Sequence, residues 1–225
     1  MPANPDFVYQ PPQSPYLDII YRDQDMVVLN KPSGLLSVPG RLPEHQDCLE
    51  NRVKRVLPSA TIVHRLDMAT SGIIVMALNK AAHVAISRQF EKRITEKYYI
   101  ARVFGHLNNE QGEVDLPLIC DWPNRPKQMV DHERGKKAKT QYQVLTKETH
   151  LTSPTTLVKL KPITGRSHQL RVHMLELGHV IIGDRLYACP QAKQLSDRLQ
   201  LHAKSLCLYQ PTSNEWLTFE ADLPF

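Results

Sequence analysis

The sequence predicts an α+β fold built on a mixed, mainly antiparallel sheet with flanking helices, and three observations carry that prediction. Strand candidates outnumber helix candidates. They come in runs instead of alternating strictly with helices, and no segment repeats internally. A chain of 225 residues, 41% hydrophobic and 23% charged, has the composition of an ordinary globular protein and can hold one generous core. The expected organisation is a flexible arm over residues 1–15, rich in Pro and Gln, followed by a single domain over residues 16–225.

Leu17 to Tyr21 and Met26 to Leu29 read as an early hairpin around Arg22-Asp23-Gln24-Asp25. Cys48 to Leu57 spaces Leu49, Val53 and Val56/Leu57 on one helical face and stops at Pro58. Ile73-Ile74-Val75-Met76-Ala77-Leu78 is a continuous apolar run, the pattern of a strand buried on both faces. Asn79 then suits the N-cap of a helix from about Lys80 to Arg93. Lys97 to Phe104 alternates as a strand, with Tyr99, Ala101 and Val103 on one face and Tyr98, Ile100, Arg102 and Phe104 on the other. Further strands are expected over Glu113–Ile119, Thr140–Leu145 and Leu157–Leu160. A short helix should follow within Thr164–Leu175, ended by Gly178, and another over Gln191–Leu199. Lys204–Tyr209 and Trp216–Phe219 close the chain as a hairpin around Ser213-Asn214.

Chemistry concentrates just before the buried run, in His64-Arg65-Leu66-Asp67-Met68-Ala69-Thr70-Ser71-Gly72. Thr-Ser-Gly ahead of a buried strand marks a tight turn, so Asp67 sits on a loop held by a rigid strand. Locally, a turn-capping carboxylate and a reactive one are equally good readings. Lys31, beside the Pro32–Gly34 turn, reads either as an exposed lysine or as a partner for phosphate or carboxylate. Arg125, Lys127, Arg134, Lys136, Lys137 and Lys139 crowd one segment against Asp131 and Glu133, within a net charge of +5. That segment is a solvated hairpin tip or a phosphate-contacting surface.

Other chemistries fit poorly. His168 and His173 are five residues apart, roughly 140° around a helix, a poor chelating geometry, and neither they nor His64 have the companion ligands of a zinc pattern. No metal is expected. Ser71 and Ser167 lie outside any G-x-S-x-G element. The four cysteines never form a C-x-x-C pair, and the amino terminus has no basic-then-apolar leader, so a cytoplasmic protein with reduced thiols is expected. No apolar run approaches the ~18 residues of a membrane span, so no membrane partner is expected.

His64-Arg65-Leu66-Asp67-x-x-Thr70-Ser71-Gly72 resembles the signature of the RluA-type RNA pseudouridine synthases. Three further blocks stand in that family's order and spacing: Asn30-Lys31-Pro32-x-Gly34-Leu35, Tyr99-x-Ala101-x-Val103-x-Gly105 and Gly165-Arg166-x-His168-Gln169-Leu170-Arg171-x-His173. The likeness runs from about Leu17 to the end. It implies the pseudouridine synthase catalytic fold and isomerisation of specific uridines without a cofactor. Leu116–Gln128 is most similar to members acting on both 23S ribosomal RNA and the anticodon stem-loop of transfer RNAs. The resemblance assigns Asp67 as nucleophile or base, Tyr99 as the ring stacking on the target base and aiding proton removal at C5, and Arg171 as the partner of the aspartate. It implies that Arg65 enters the helix where the nucleotide leaves. His64, Arg166, Lys31, Arg125, Lys127, Lys136 and Lys137 are the expected RNA contacts. No amino-terminal S4 module is expected, because the first block starts within about thirty residues of Met1. A monomer with structured RNA as its partner is expected. The rivals are an RNA-binding protein without turnover and a glycosidase-like hydrolase, although the latter usually needs two carboxylates and only Asp67 is well placed.

Overall fold

The structure is a computed structural model that describes residues 8–225. In chain order its elements are β1 (Ile19–Arg22), β2 (Met26–Lys31), α1 (Leu49–Val56), β3 (Thr61–Ile62), β4 (Ser71–Ala77), α2 (Lys80–Glu91), β5 (Glu96–Phe104) and β6 (Gln111–Asp115). They continue with β7 (Leu118–Cys120), β8 (Gln128–Val130), β9 (Lys139–His150), β10 (Ser153–Pro162), α3 (Gln169–Glu176), α4 (Pro190–Gln194), β11 (Leu201–Tyr209) and β12 (Trp216–Glu220). The chain divides into two compact units. One is built from Tyr9–Lys97 and His202–Pro224, the other chiefly from Tyr98–Leu201.

In the first unit the strand order is β1-β2-β4-β11-β12. Every residue of β4 is buried, as its unbroken apolar run requires. β2 pairs antiparallel along its whole length, whereas β11 joins it in parallel at Ser71 and Gly72, and β3 pairs with its far end. Ile73, Val75 and Ala77 face α2, where Ala82 and Ile86 meet them together with Met26, Val28, Leu206, Leu208 and Phe219. Asn79 caps α2 as its side chain suggests, accepting from the Ala82 N–H at 2.8 Å.

Residues 1–7 of the expected arm lie outside the described residues, and its remainder makes hydrogen bonds to distant parts of the chain. The Tyr9 hydroxyl donates to the Asp47 carbonyl at 2.6 Å and accepts from the Leu36 N–H at 3.0 Å. The Pro12 carbonyl accepts from buried Arg52 at 2.9 Å. Such long-range partners leave no signal in the arm's own composition.

In the second unit β5, β10, β9 and β6 form an antiparallel sheet, and β7 and β8 form a separate two-stranded ribbon. The single strand expected over Glu113–Ile119 is therefore two. Pro117 has no N–H to continue a ladder, and the chain turns from one sheet into the ribbon there. The helix expected over Gln191–Leu199 is only the short α4. α3 begins at Gln169, later than Thr164, because the Gln169 side chain ties the preceding loop: its Oε1 accepts from Thr164 Oγ1 at 2.7 Å and from the Arg166 N–H at 3.0 Å.

Candidate active site

Asp67 lies in the first unit, half-buried, at the head of a turn that enters β4. The turn closes through backbone, with the Thr70 N–H donating to the Asp67 carbonyl at 3.1 Å. The end of β2 and the segment after it grip this loop on three carbonyls. Ser37 Oγ donates to the Leu66 carbonyl at 2.7 Å and accepts from the Leu66 N–H at 3.2 Å. The Met68 carbonyl accepts from Lys31 Nζ at 3.1 Å and from the Gly34 N–H at 2.9 Å. Ser33 Oγ donates to the Ala69 carbonyl at 2.7 Å. A carboxylate flanked by peptides fixed this firmly is pre-positioned, which catalysis needs more than it needs any particular loop conformation.

Gly72 explains why the loop can enter the sheet at all. Its φ is +109°, and a Cβ there would stand 2.3 Å from the Ala203 carbonyl oxygen and 2.6 Å from the Ala203 nitrogen. Only glycine lets β4 and β11 come together at this point.

Two residues expected on the RNA side are corrected. Lys31 is fully buried, and its ammonium donates to the carbonyls of Leu35 at 2.7 Å, Pro32 at 2.9 Å and Met68 at 3.1 Å. It binds its own chain, because those carbonyls offer a buried cation what phosphate would otherwise offer. His64 turns inward: Nε2 accepts from the Val75 N–H at 3.0 Å, and the ring stacks on Phe90 with centroids 4.5 Å apart. Burial pushes its pKa down to about 3, helped by the nearby Lys97 ammonium, so the ring is neutral and no phosphate partner. Arg65, between them and the aspartate, is exposed.

Tyr99 and Arg171 lie in the second unit. Tyr99 is half-buried on β5 opposite Leu160. Arg171 is buried on α3 and held edge-on by Asp184, with Nε to Oδ2 and Nη2 to Oδ1 both at 2.7 Å. Asp184 Oδ1 also accepts from the Leu186 and Tyr187 N–H groups, and the Tyr187 ring lies 4.9 Å beneath the guanidinium carbon. The Tyr187 hydroxyl accepts from the Gln128 N–H at 2.8 Å and pairs with His168 Nδ1 at 2.7 Å. One tyrosine thus links the arginine, the turn before α3 and the ribbon strand β8. His173 points elsewhere, to Thr140 Oγ1 and the Leu116 carbonyl, and burial lowers its pKa.

The basic segment is thinner than its composition suggests. Lys139 is taken by Glu113 and Asp115 at 2.7 and 3.0 Å, and Arg134 by Asp131 at 2.9 Å. Among the described residues Arg125, Lys127, Lys136, Lys137 and Arg166 form no ion pair. All but the half-buried Lys127 are exposed. Arg166 Nε donates to the Lys137 carbonyl at 3.1 Å, and Lys136 bridges backbone to backbone with Leu118. Five of the expected RNA contacts therefore stand on one unit as available cations.

Residues 25–176 match the family model for RNA pseudouridylate synthase. The chain belongs to the RNA pseudouridylate synthase family. The dual-specificity RNA pseudouridine synthase RluA of Escherichia coli strain K12 is 56% identical over 217 residues, which cover 96% of this chain and 98% of that relative. The protein of the same name from Vibrio parahaemolyticus is 55% identical over 210 residues, 93% of this chain and 84% of that one. Among solved structures, human RNA pseudouridylate synthase domain containing 1 is similar with a TM-score of 0.80 and 30% identity, over 96% of this chain and 87% of that chain. Human RNA pseudouridylate synthase domain containing 4 follows at 0.72 and 30%, over 92% and 88%. The α+β fold with its mainly antiparallel sheet is that of a pseudouridine synthase, and the protein is an isomerase acting on RNA.

For this pseudouridine synthase, sequence reading passed over Ser33, Ser37, Asp184 and Tyr187. The serines had a signal, since hydroxyls flanking a Pro–Gly turn are free to bond backbone elsewhere. Asp184 and Tyr187 had none in their own neighbourhood, because the arginine and the ribbon strand that they hold are 13 and 59 residues away.

Proposed function

We propose that the enzyme converts specific uridines to pseudouridine in both large-subunit ribosomal RNA and transfer RNA stem-loops. Support for two RNA classes comes from the dual-specificity relatives, which match almost end to end. The observation that carries the chemistry is the Asp67 loop, clamped through the carbonyls of Leu66, Met68 and Ala69.

In this reading the N1–C1′ bond of uridine breaks, the base turns, a C5–C1′ bond forms, and the C5 proton is lost while N1 gains one. Atoms and electrons balance within the nucleotide, so the reaction calls for no cofactor. Asp67 acts as nucleophile or base. Tyr99 stacks on the turned base and assists at C5, and Arg171 supplies the positive charge that keeps a carboxylate ionised. Exposed Arg65 fills the stack that the extruded base vacates. Arg125, Lys127, Lys136, Lys137 and Arg166 hold phosphates. The enzyme acts as a monomer in the cytoplasm, a location that its free cysteines suit.

Tritium release from C5-labelled ribosomal and transfer RNA transcripts, run side by side, tests the proposal. Release is expected from both, abolished by Asp67→Asn with RNA binding largely kept. Release from one class only restricts the substrate, and undiminished release by Asp67→Asn removes Asp67 from the chemistry.

A further inference from the structure

Among the described residues, Trp122 is the most exposed aromatic side chain of the second unit, with 69% of its surface open to solvent. A large apolar ring left in water forgoes roughly 2–3 kcal/mol of burial, so its display invites a reason. The ring stands on a one-turn 3-10 segment, Trp122–Asn124, at the tip of the β7–β8 ribbon. That tip is closed by a net of short bonds. The Asp121 N–H donates to the Lys127 carbonyl and the Lys127 N–H to the Asn124 carbonyl, at 3.0 and 3.1 Å. Asn124 Nδ2 donates to Asp121 Oδ2 at 2.9 Å. Directly beneath the turn, where Cys120 pairs with Gln128, the ribbon is pinned by Tyr187. The indole is therefore presented by a structured turn.

Arg125 lies over the ring, its guanidinium carbon 4.7 Å from the centroid, and donates Nη1 to the Trp122 carbonyl at 3.1 Å. That contact uses one of the five guanidinium N–H groups and one face of the indole. Lys127 shares the turn, and Lys136, Lys137 and Arg166 belong to the same unit.

We infer that Trp122 is a stacking platform for an unpaired base of the substrate RNA. The base lies against the indole face that Arg125 leaves open, while Arg125 and Lys127 hold the adjoining phosphates. The surrounding charge selects this occupant over an apolar protein surface, since an aromatic face among cations matches a base between phosphates. Stacking accepts any base, which suits an enzyme acting on more than one RNA. The inference rests on the RNA-modifying function proposed above and adds to it a contact that reads unpaired structure instead of sequence.

The chain has two tryptophans, so Trp216→Phe leaves Trp122 as the sole indole emitter. That protein is titrated with a stem-loop transcript and with a fully paired duplex of equal nucleotide count, at one moderate salt concentration. Stem-loop binding is expected to quench the emission strongly and duplex binding weakly. Trp122→Ala should weaken stem-loop binding about tenfold or more and leave duplex binding unchanged, with Trp122→Phe falling between. Binding without quenching, equal losses on both RNAs, or a Trp122→Ala protein as tight as its parent would overturn the platform. Tritium release by the parent protein monitors the underlying function separately: where release proceeds and Trp122 is silent, only the platform fails.

Discussion

Replacing Gly72 with alanine tests the idea that one missing Cβ lets the Asp67 loop enter the sheet. The added methyl would meet the Ala203 oxygen, nitrogen and carbonyl carbon at 2.3, 2.6 and 2.8 Å, all backbone within a strand pairing. Nothing flexible is available to yield. Overpacking of this kind costs about 1–3 kcal/mol, and a non-glycine residue at such a φ costs about 1–2 kcal/mol more. The sum, about 2–5 kcal/mol, is a large part of the 5–15 kcal/mol that typically holds a domain together. Gly34→Ala is the control, because its φ of +88° carries the same strain while its nearest neighbour, Pro12 Cδ, is at an ordinary 3.6 Å. Urea unfolding followed by Trp216, which belongs to the same unit, should show Gly72→Ala less stable than Gly34→Ala by roughly 1–3 kcal/mol. Turnover should fall by about 100-fold at temperatures where Gly72→Ala stays folded, as a displacement on the order of 1 Å at Asp67 implies. Equal stability of the two variants would refute the steric argument.

Asp184→Asn breaks a buried, two-point charge pair with Arg171 and should cost about 3–5 kcal/mol in thermal or urea unfolding. Tyr187→Phe keeps the ring beneath Arg171 but strips the hydroxyl from Gln128 and His168. A loss of about 1–3 kcal/mol is expected, with faster amide hydrogen exchange at Gln128 reporting the loosened ribbon. His64 gives a pH dependence whose sign follows from its depressed pKa. It stays neutral in the folded protein down to about pH 3, while the unfolded chain binds a proton below about 6.5. Its contribution is therefore complete above about pH 6.5 and is lost as pH falls from there towards 3, by at most ~1.4 kcal/mol per pH unit. His64→Gln, which keeps an acceptor for Val75, should flatten that slope in denaturation curves between pH 7 and 5. His173, depressed in the same direction, retains its own share.

Local pattern and local chemistry decided much of this protein in the sequence itself. The unbroken run from Ile73 to Leu78 could only be buried, Asn79 could only profitably start a helix, and the alternation over Lys97–Phe104 set Tyr99 and Tyr98 on opposite faces. Four ordered motifs pointed to the family before any contact was known. What the sequence left open is what long-range contact decides. Lysine and histidine read as surface groups because most are, yet Lys31 became an internal clamp through the Met68 carbonyl 37 residues away, and His64 a neutral acceptor for Val75. The same holds for Lys139 and Arg134, whose charges are taken by neighbours, and for Asp184 and Tyr187, which looked inert and hold Arg171. A side chain's type fixes which bonds it can make. Only the folded chain fixes which partners arrive within 3 Å of it, and for a charge that choice decides whether it faces a substrate or its own backbone.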